Sequence, residues 1–526
     1  MANTSRQPKI VPESVSPRSV AVIDIGATSI RMAIAEIHSD GEVRKLDSLV
    51  QAVDLGREAF ENRRLSRKSI EKSAAILQRY QRVLQEYGIT SQADVRVVAT
   101  TAVREASNRL AFADRVFVAT GLNVESIDEA EVNRITYMGV IPHLHEHPGL
   151  ADGKSLVVEI GGGSTEVLLL RSGNVLSSQS FRLGSVRLMM NLDGVRASAS
   201  RRRAMMESHI RRTLVQISEE IDDDAPVNIV ALGGDIRFVA DQLIDWDRKS
   251  LAELSTKDLV KLTEQVLTLD QDAIVKKYGT SFIEAGTLAP ALLAYSMFVQ
   301  HFHQSHLFVS ETNLRDGLLH NMAAGGSWTA EFRNQIVRSA ISLGRKFDFD
   351  ETHARNVAEL ASKLFDQLRA EHRLDSRHEV ILFVAALLHE IGMTVNVRSN
   401  HKHALYLIRH SEMFGLSRSQ LLQVGLVARY HRRATPQPSH EGYGTLPQKE
   451  RVIVAKLAAI LRLAISLDDT RSGRIRDIQC VCEPKQLVIH VLGVDDVSLE
   501  QVSMSRNSGL FRDVFGLPVL LRAGRR

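Results

Sequence analysis

The sequence predicts an α/β protein: two lobes on mixed sheets, then an all-helical domain and a small α/β end domain. Three observations predict it. Apolar strand-like runs alternate with helical stretches from residue 19 to residue 325, and that alternation belongs to α/β folds, with mixed sheets because hairpins are included. A strand–glycine–strand pattern occurs twice: residues 20–29 read V-A-V-I-D-I-G-A-T-S and residues 157–167 read V-V-E-I-G-G-G-S-T-E-V. Beyond residue 326, strand signals become scarce and histidines cluster. The expected divisions are a disordered leader at 1–18, lobes at 19–148 and 149–325, a helical domain at 326–473 and an end domain at 474–526.

Each element of the first lobe follows from its residues. The opening hairpin carries Asp24 at the end of one strand, then Gly26, Thr28 and Ser29, with Arg31 on the returning strand. Glycine has no Cβ, so backbone amides there can approach an anion closely, and the hydroxyls add donors. A helix over 66–87 is expected from the spacing of Ile70, Ala74, Leu77 and Leu84, closed by Gly88. The strand 95–99 runs into T-T-A-V-R-E-A at 100–106. Thr101 and Arg104 there could hold phosphate through helix-terminal amides and a guanidinium, or simply cap a helix with a surface arginine. After a strand at 124–127, a helix over 128–140 places Glu131 and Arg134 three apart, spaced for an ion pair.

The second lobe opens on Glu159, Gly161, Gly162, Gly163, Ser164 and Thr165, parallel to the first hairpin. An approximate internal repeat suggests two lobes pointing glycine turns at one cleft. Acids at both strand ends, Asp24 and Glu159, suit Mg²⁺, which prefers oxygen ligands. An arginine-rich helix at 197–221, a strand into Gly233-Gly234-Asp235 and a strand at 307–310 before L-R-D-G complete the lobe.

Composition sets the limits. A chain of 526 residues with 44% hydrophobic and 24% charged residues is a globular protein of several domains. A net charge of +4, with arginine clusters at 201–203, 211–212 and 432–433, fits an anionic ligand or solvated helix faces. Cys480 and Cys482 sit at strand spacing and read as two small core residues rather than a disulfide. With so few cysteines, a reducing cytoplasmic setting is expected. No apolar stretch is expected to reach membrane-spanning length, and 1–18 has no signal-peptide core.

Taken together, D-I-G-A-T-S-I-R at 24–31, T-T-A-V-R-E-A at 100–106, the helix with Glu131 and Arg134, E-I-G-G-G-S-T-E at 159–166 and L-R-D-G at 314–317 resemble a known family. It is the exopolyphosphatase / guanosine pentaphosphate phosphohydrolase (Ppx/GppA) family, of the actin-like ATPase and sugar-kinase superfamily. The resemblance implies ribonuclease-H-like lobes and release of terminal phosphate from inorganic polyphosphate that depends on Mg²⁺ or another divalent cation. The alternatives are pppGpp as substrate, or a phosphoanhydride-binding regulator with weak turnover. It implies Glu131 as general base, Asp24 and Glu159 as metal ligands, and Arg104 with both glycine turns as phosphate binders. The chain departs from the family pattern at Ala27, Thr28, Val132, Glu159 and Asp235. Neither membrane nor specific nucleic acid is expected as a partner.

The helical domain resembles HD-type phosphohydrolase domains, whose metal ligands are a His, a His-Asp pair and a distant Asp. His353 and His389 match the first two positions and Asp468 the last, while Glu390 stands where the paired Asp belongs. The resemblance favours a metal-free scaffold for a polyanion or a homodimer, with a second metal site as the alternative. Loops are expected at 398–401 and 435–446, and a strand pair at 487–491 and 518–521.

Overall fold

A computed structural model describes residues 17–192, 198–219, 221, 226–325, 328–432 and 434–524; the expected leader lies almost wholly outside them. Strands β1 (Arg18–Ile25), β2 (Ser29–Ile37), β3 (Val43–Ala52), β4 (Val95–Ala99) and β5 (Val124–Ser126) form one sheet in the order β3-β2-β1-β4-β5. Central β1 reads as a continuous apolar run because both of its faces are covered. Ala21, Ile23 and Ile25 face one apolar cluster, and Val20 and Val22 face another.

The second sheet contains β6 (Lys154–Ile160), β7 (Thr165–Arg171), β8 (Asn174–Phe181), β9 (Val227–Leu232), β10 (Ala252–Ser255) and β11 (His306–Val309). Its order is β10-β11-β9-β6-β7-β8. Read from the far edge, β8-β7-β6-β9-β11 repeats β3-β2-β1-β4-β5, with two antiparallel pairs followed by two parallel ones in each case. The repeat holds residue by residue at the turns. Asp24 lies opposite Arg31 as Glu159 lies opposite Glu166. Gly26 N–H donates to the Ser29 carbonyl, and Gly161 N–H to that of Ser164, each at 2.9 Å.

The helices Glu129–Glu146 and Leu314–Ala323 follow β5 and β11 and cross between the lobes. Glycine sets how closely they approach. A Cβ at Gly317 would lie 2.4 Å from the Ile135 carbonyl oxygen, and one at Gly139 2.5 Å from Thr312 Cγ2. Helix Phe282–His301 corrects the expectation of no membrane-length stretch, being long and apolar enough to span one. It is 67% buried over its most apolar window, however, and packs Leu288, Leu292, Tyr295 and Phe298 into the core of the second lobe.

Six longer helices follow: Ala330–Lys346, Glu351–Gln367, Ser376–Leu388, Asn400–Arg409, Arg418–Arg429 and Gln448–Leu467. The loop expected at 398–401 is cut short because Asn400, fully buried, begins a helix. Strands β12 (Asp477–Glu483), β13 (Gln486–Leu492) and β14 (Val519–Gly524) form a small sheet. Ile478, Cys480 and Cys482 share one face of β12, but burial fades along it from buried to half-buried to exposed. The strand leaves the core as it runs, so Cys482 is not the core residue expected.

Strand periodicity directs the second sheet's side chains to opposite faces. Leu156, Val158 and Leu169 pack on the second lobe's own helices. Val157, Leu168 and Phe308 join a cluster that continues through Tyr137, Phe332 and Leu461 to Ile489 and Leu521 of the end sheet.

Candidate active site

Between the lobes lies a cleft of about 330 Å³. β1 and β6 end at its floor and deliver Asp24 and Glu159, and their turns line it with backbone. The two turns are tightly apposed, and a Cβ on Gly162 would lie 2.9 Å from Ala27 Cβ. The second turn also meets other parts of the first lobe: Thr101 Oγ1 lies 3.1 Å from Ser164 Oγ, and a Cβ on Gly163 would lie 2.4 Å from Phe60 Cζ. Only glycine fits at that position. A third approach comes from Gly233, held at φ +114°, where the chain turns into helix Gly234–Leu243 and aims its N-terminus at the cleft.

The electrostatics are dominated by carboxylates. Among the described residues, Asp24, Glu159, Glu166, Asp235 and Glu284 line the cleft against a single guanidinium, Arg31. Burial pushes the Asp24 carboxyl up, opposed by Arg315, 3.7 Å away, and by Arg31. Burial likewise raises Glu159, with Arg237 opposing and Asp24 adding to the rise. Glu166 is driven by burial, then by Glu159, up to about 7, although Ser164 Oγ donates to it at 2.6 Å. Burial also takes Asp235 up to about 7. Asp24 Oδ1 is buried and has no hydrogen-bond partner, a state that costs free energy unless something binds there.

The cleft brings together Asp24, Gly26, Thr28, Ser29, Arg31, Thr101, Glu159, Gly161, Gly162, Gly163 and Ser164 of the residues read from sequence. Three others lie apart from it. Glu131 is gripped by Arg134, whose Nη2 and Nε reach its two oxygens at 2.6 and 2.7 Å, and Arg96 approaches at 3.5 Å. One step further round the helix, Val132 faces the cleft instead. At the cleft wall this helix thus presents an aliphatic side chain, while a bidentate guanidinium holds the Glu131 carboxylate on another face. Arg104 donates to the Ile127 carbonyl, Thr101 Oγ1 and Glu129 at 3.0, 3.2 and 3.3 Å, and does not line the cleft. Thr165 Oγ1 donates to the Leu183 carbonyl and pins the hairpin.

Sequence reasoning missed Glu166 and Glu284 as cleft acids, and Arg315 and Arg237 as the cations that oppose burial at Asp24 and Glu159. The signal for Glu166 was present, since Arg31 occupies the equivalent place in the first hairpin. Arg315 stands inside L-R-D-G and Arg237 follows Gly233-Gly234-Asp235, but neither stretch shows from sequence which helix face meets the cleft.

A second group lies in the helical region. One donor atom from each of His353, His389 and Glu390 falls within 4.8 Å of the others. Asp468 is not part of that group. Its Oδ2 meets His353 Nδ1 at 2.7 Å and its Oδ1 accepts from Gly473 N–H at 2.9 Å.

Similarity to known proteins follows the same architecture. Residues 33–324 match the Ppx/GppA phosphatase family, and residues 337–506 match domain III of these phosphatases. The guanosine-5'-triphosphate,3'-diphosphate pyrophosphatase of Vibrio campbellii is 25% identical over 457 residues, covering 86% of this chain and 87% of the relative. That of Vibrio parahaemolyticus is 24% identical over 479 residues, covering 90% and 91%. The crystal structure of an exopolyphosphatase from Cytophaga hutchinsonii superposes with a TM-score of 0.53 at 23% identity, over 59% of this chain and 98% of that one, and shares its fold. With both matches spanning the actin-like lobes and the helical region behind them, the chain belongs to the Ppx/GppA phosphatase family.

Proposed function

We propose that the protein hydrolyses the terminal phosphoanhydride bond of inorganic polyphosphate. The observation that carries this reading is the pair of register-matched glycine turns facing each other across a cleft lined by five carboxylates and one arginine. The turns supply amides and the hydroxyls of Thr28, Ser29, Thr101 and Ser164, a cradle for phosphoryl oxygens. Yet a polyanion entering among carboxylates meets strong repulsion. Arg31 alone does not offset it, so the acids must be protonated or matched by cations.

The unpartnered Asp24 Oδ1 and buried Glu159 form a hard oxygen donor set that fits Mg²⁺. When bound, Mg²⁺ would neutralise phosphate charge and the charge that develops on transfer. The chain's own residues do the rest. Arg31 and the turn amides orient the terminal phosphoryl group. Glu166, held at about 7 and oriented by Ser164, is matched to accept the proton of the attacking water near neutral pH.

A second reading, pppGpp as substrate, is favoured by Phe238 and Leu288, which add apolar side chains suited to a base to the cleft lining. The names of the Vibrio relatives point the same way. Phosphate release from long polyphosphate, tripolyphosphate and pppGpp, each with and without Mg²⁺, tests both readings. Release that requires Mg²⁺ and favours long chains supports the first, and preference for pppGpp supports the second. Tight binding of all three without release would overturn hydrolysis and leave a regulator.

A further inference from the structure

On the first lobe, helix Arg109–Thr120 is apolar on two faces. Its inner face packs Phe112 and Val116 into the lobe, with Thr120 buried beside them. Its outer face carries Leu110, Phe117 and Val118, which are 77%, 46% and 69% exposed, and exposed Ala111 lies among them. At about 100° per residue these four fall within about a third of the helix circumference, opposite the buried side, and Asp114 stands at their centre. A surface helix ordinarily turns polar side chains to water. An apolar stripe along about 18 Å of helix therefore marks an interaction surface.

The stripe starts from a basic end. Ser107 N–H donates to the Arg63 carbonyl at 2.7 Å, and Asn108 exchanges two side-chain hydrogen bonds with the Leu65 backbone at 2.9 and 3.0 Å. These bonds hold R-R-L-S-R-K, residues 63–68, against the N-terminal end of the helix. A groove of about 770 Å³ opens there, where Leu65, Ile70 and Ala111 supply apolar surface and Arg64 and Arg67 supply charge. Two acids of the groove are already engaged. Glu58 accepts from the Ser66 amide and the Ser69 hydroxyl at 2.7 and 2.8 Å, and both oxygens of Glu71 are held by Arg115 at 2.8 Å. Among the described residues, Arg63, Arg64, Arg67, Lys68 and Arg109 form no salt bridge, and Glu61 offsets only part of their charge.

We propose that this face docks an amphipathic helix of a partner protein. Its apolar stripe is flanked by carboxylates at the end that meets Arg64 and Arg67, and it carries a cation opposite Asp114. A helix fits because rows of side chains on one cylinder pack into the grooves of another. Charge decides against the other occupants. A second copy of this chain packed antiparallel about Asp114 sets carboxylate on carboxylate, and packed parallel it sets arginine on arginine, so the face does not complement itself. A lipid bilayer accommodates Leu110 and Val118 but leaves Asp114, in the middle of the stripe, facing hydrocarbon. Docking here is independent of the chemistry proposed for the cleft.

The test uses the full chain and two fluorescently labelled synthetic helices with the same leucine stripe. One bears flanking glutamates and a central lysine, the other flanking lysines and a central glutamate. Fluorescence anisotropy should show saturable binding of the acidic helix at one per chain, weakening as salt rises, and far weaker binding of the basic one. Leu110→Gln with Val118→Gln should weaken the acidic helix at least about tenfold. Arg64→Glu with Arg67→Glu should reverse the preference, an outcome that loss of folding cannot mimic. All four side chains are exposed, so each variant should melt with the parent. No binding of the acidic helix, or equal binding of both helices, overturns the proposal. So does attachment to phosphatidylcholine vesicles containing phosphatidylglycerol that Leu110→Gln with Val118→Gln abolishes, or a parent dimer that the same pair of substitutions dissociates.

Discussion

One arginine keeps the only carboxylate expected from helix Glu129–Glu146 as a base, Glu131, away from the cleft. Because Arg134 holds Glu131 outside the cleft, Glu131→Gln should leave phosphate release within about threefold of the parent, while lowering stability by about 1–2 kcal/mol through the weakened buried pair. Glu166→Gln should lower turnover by roughly 10²–10⁴-fold with substrate binding retained; steady-state assays of the two variants side by side check both. A pH signature accompanies the second. Glu166 titrates at about 7 folded against an ordinary 4.5, so the folded chain holds a proton that the unfolded chain releases between those values. Its contribution to stability is therefore present below about 4.5 and lost as pH rises through about 7. Glu166→Gln should gain melting temperature over the parent at pH 8 and gain little at pH 5. Glycines and strand-end acids were legible in the sequence because their chemistry depends on position along the chain. Glu131 and Val132 were not, because adjacent residues on a helix point about 100° apart and only the packed partners fix the phase.

At the scale of elements, the strands, the two turns and the long helices follow from apolar periodicity and glycine punctuation. Both register-matched hairpins could be read from residues 20–29 and 157–167 alone. The crossing of Glu129–Glu146 with Leu314–Ala323 could not, since it depends on two glycines 178 residues apart in sequence meeting facing helices. Gly317→Ala would press a methyl against the Ile135 carbonyl, an atom that cannot rotate aside. The expected cost is about 1–3 kcal/mol, seen as a lower melting temperature. Helix Phe282–His301 shows the complementary limit, because composition alone does not separate a buried core helix from a membrane span.

At the scale of the whole molecule, the apolar cluster that starts at Tyr137 and Val157 and ends at Leu521 ties the second sheet to the helical region and the end sheet. Sequence periodicity marked these residues as buried but not what buried them. Deleting everything after residue 325 should therefore uncover apolar surface on the lobes. It should expose Tyr137, whose ring meets Phe414, and Val175, whose amide donates to Gln335, and the truncated chain should bind a hydrophobic dye and associate. Size-exclusion chromatography and dye fluorescence, compared with the intact chain, check this outcome. A monomeric, dye-silent truncation that still releases phosphate would show that the lobes close their own core.

The matched turns differ in the sign of charge at one cross-strand position, with Arg31 in one hairpin and Glu166 in the other. A duplicated scaffold with identical charges would read a phosphate chain equally well in either direction. This single inversion gives the cleft a polarity, attracting anion toward one half and cation or proton toward the other. On the proposed reading, a symmetric polymer with two equivalent ends would thereby become a substrate with a front and a back, each cut leaving the remaining chain facing the way it entered.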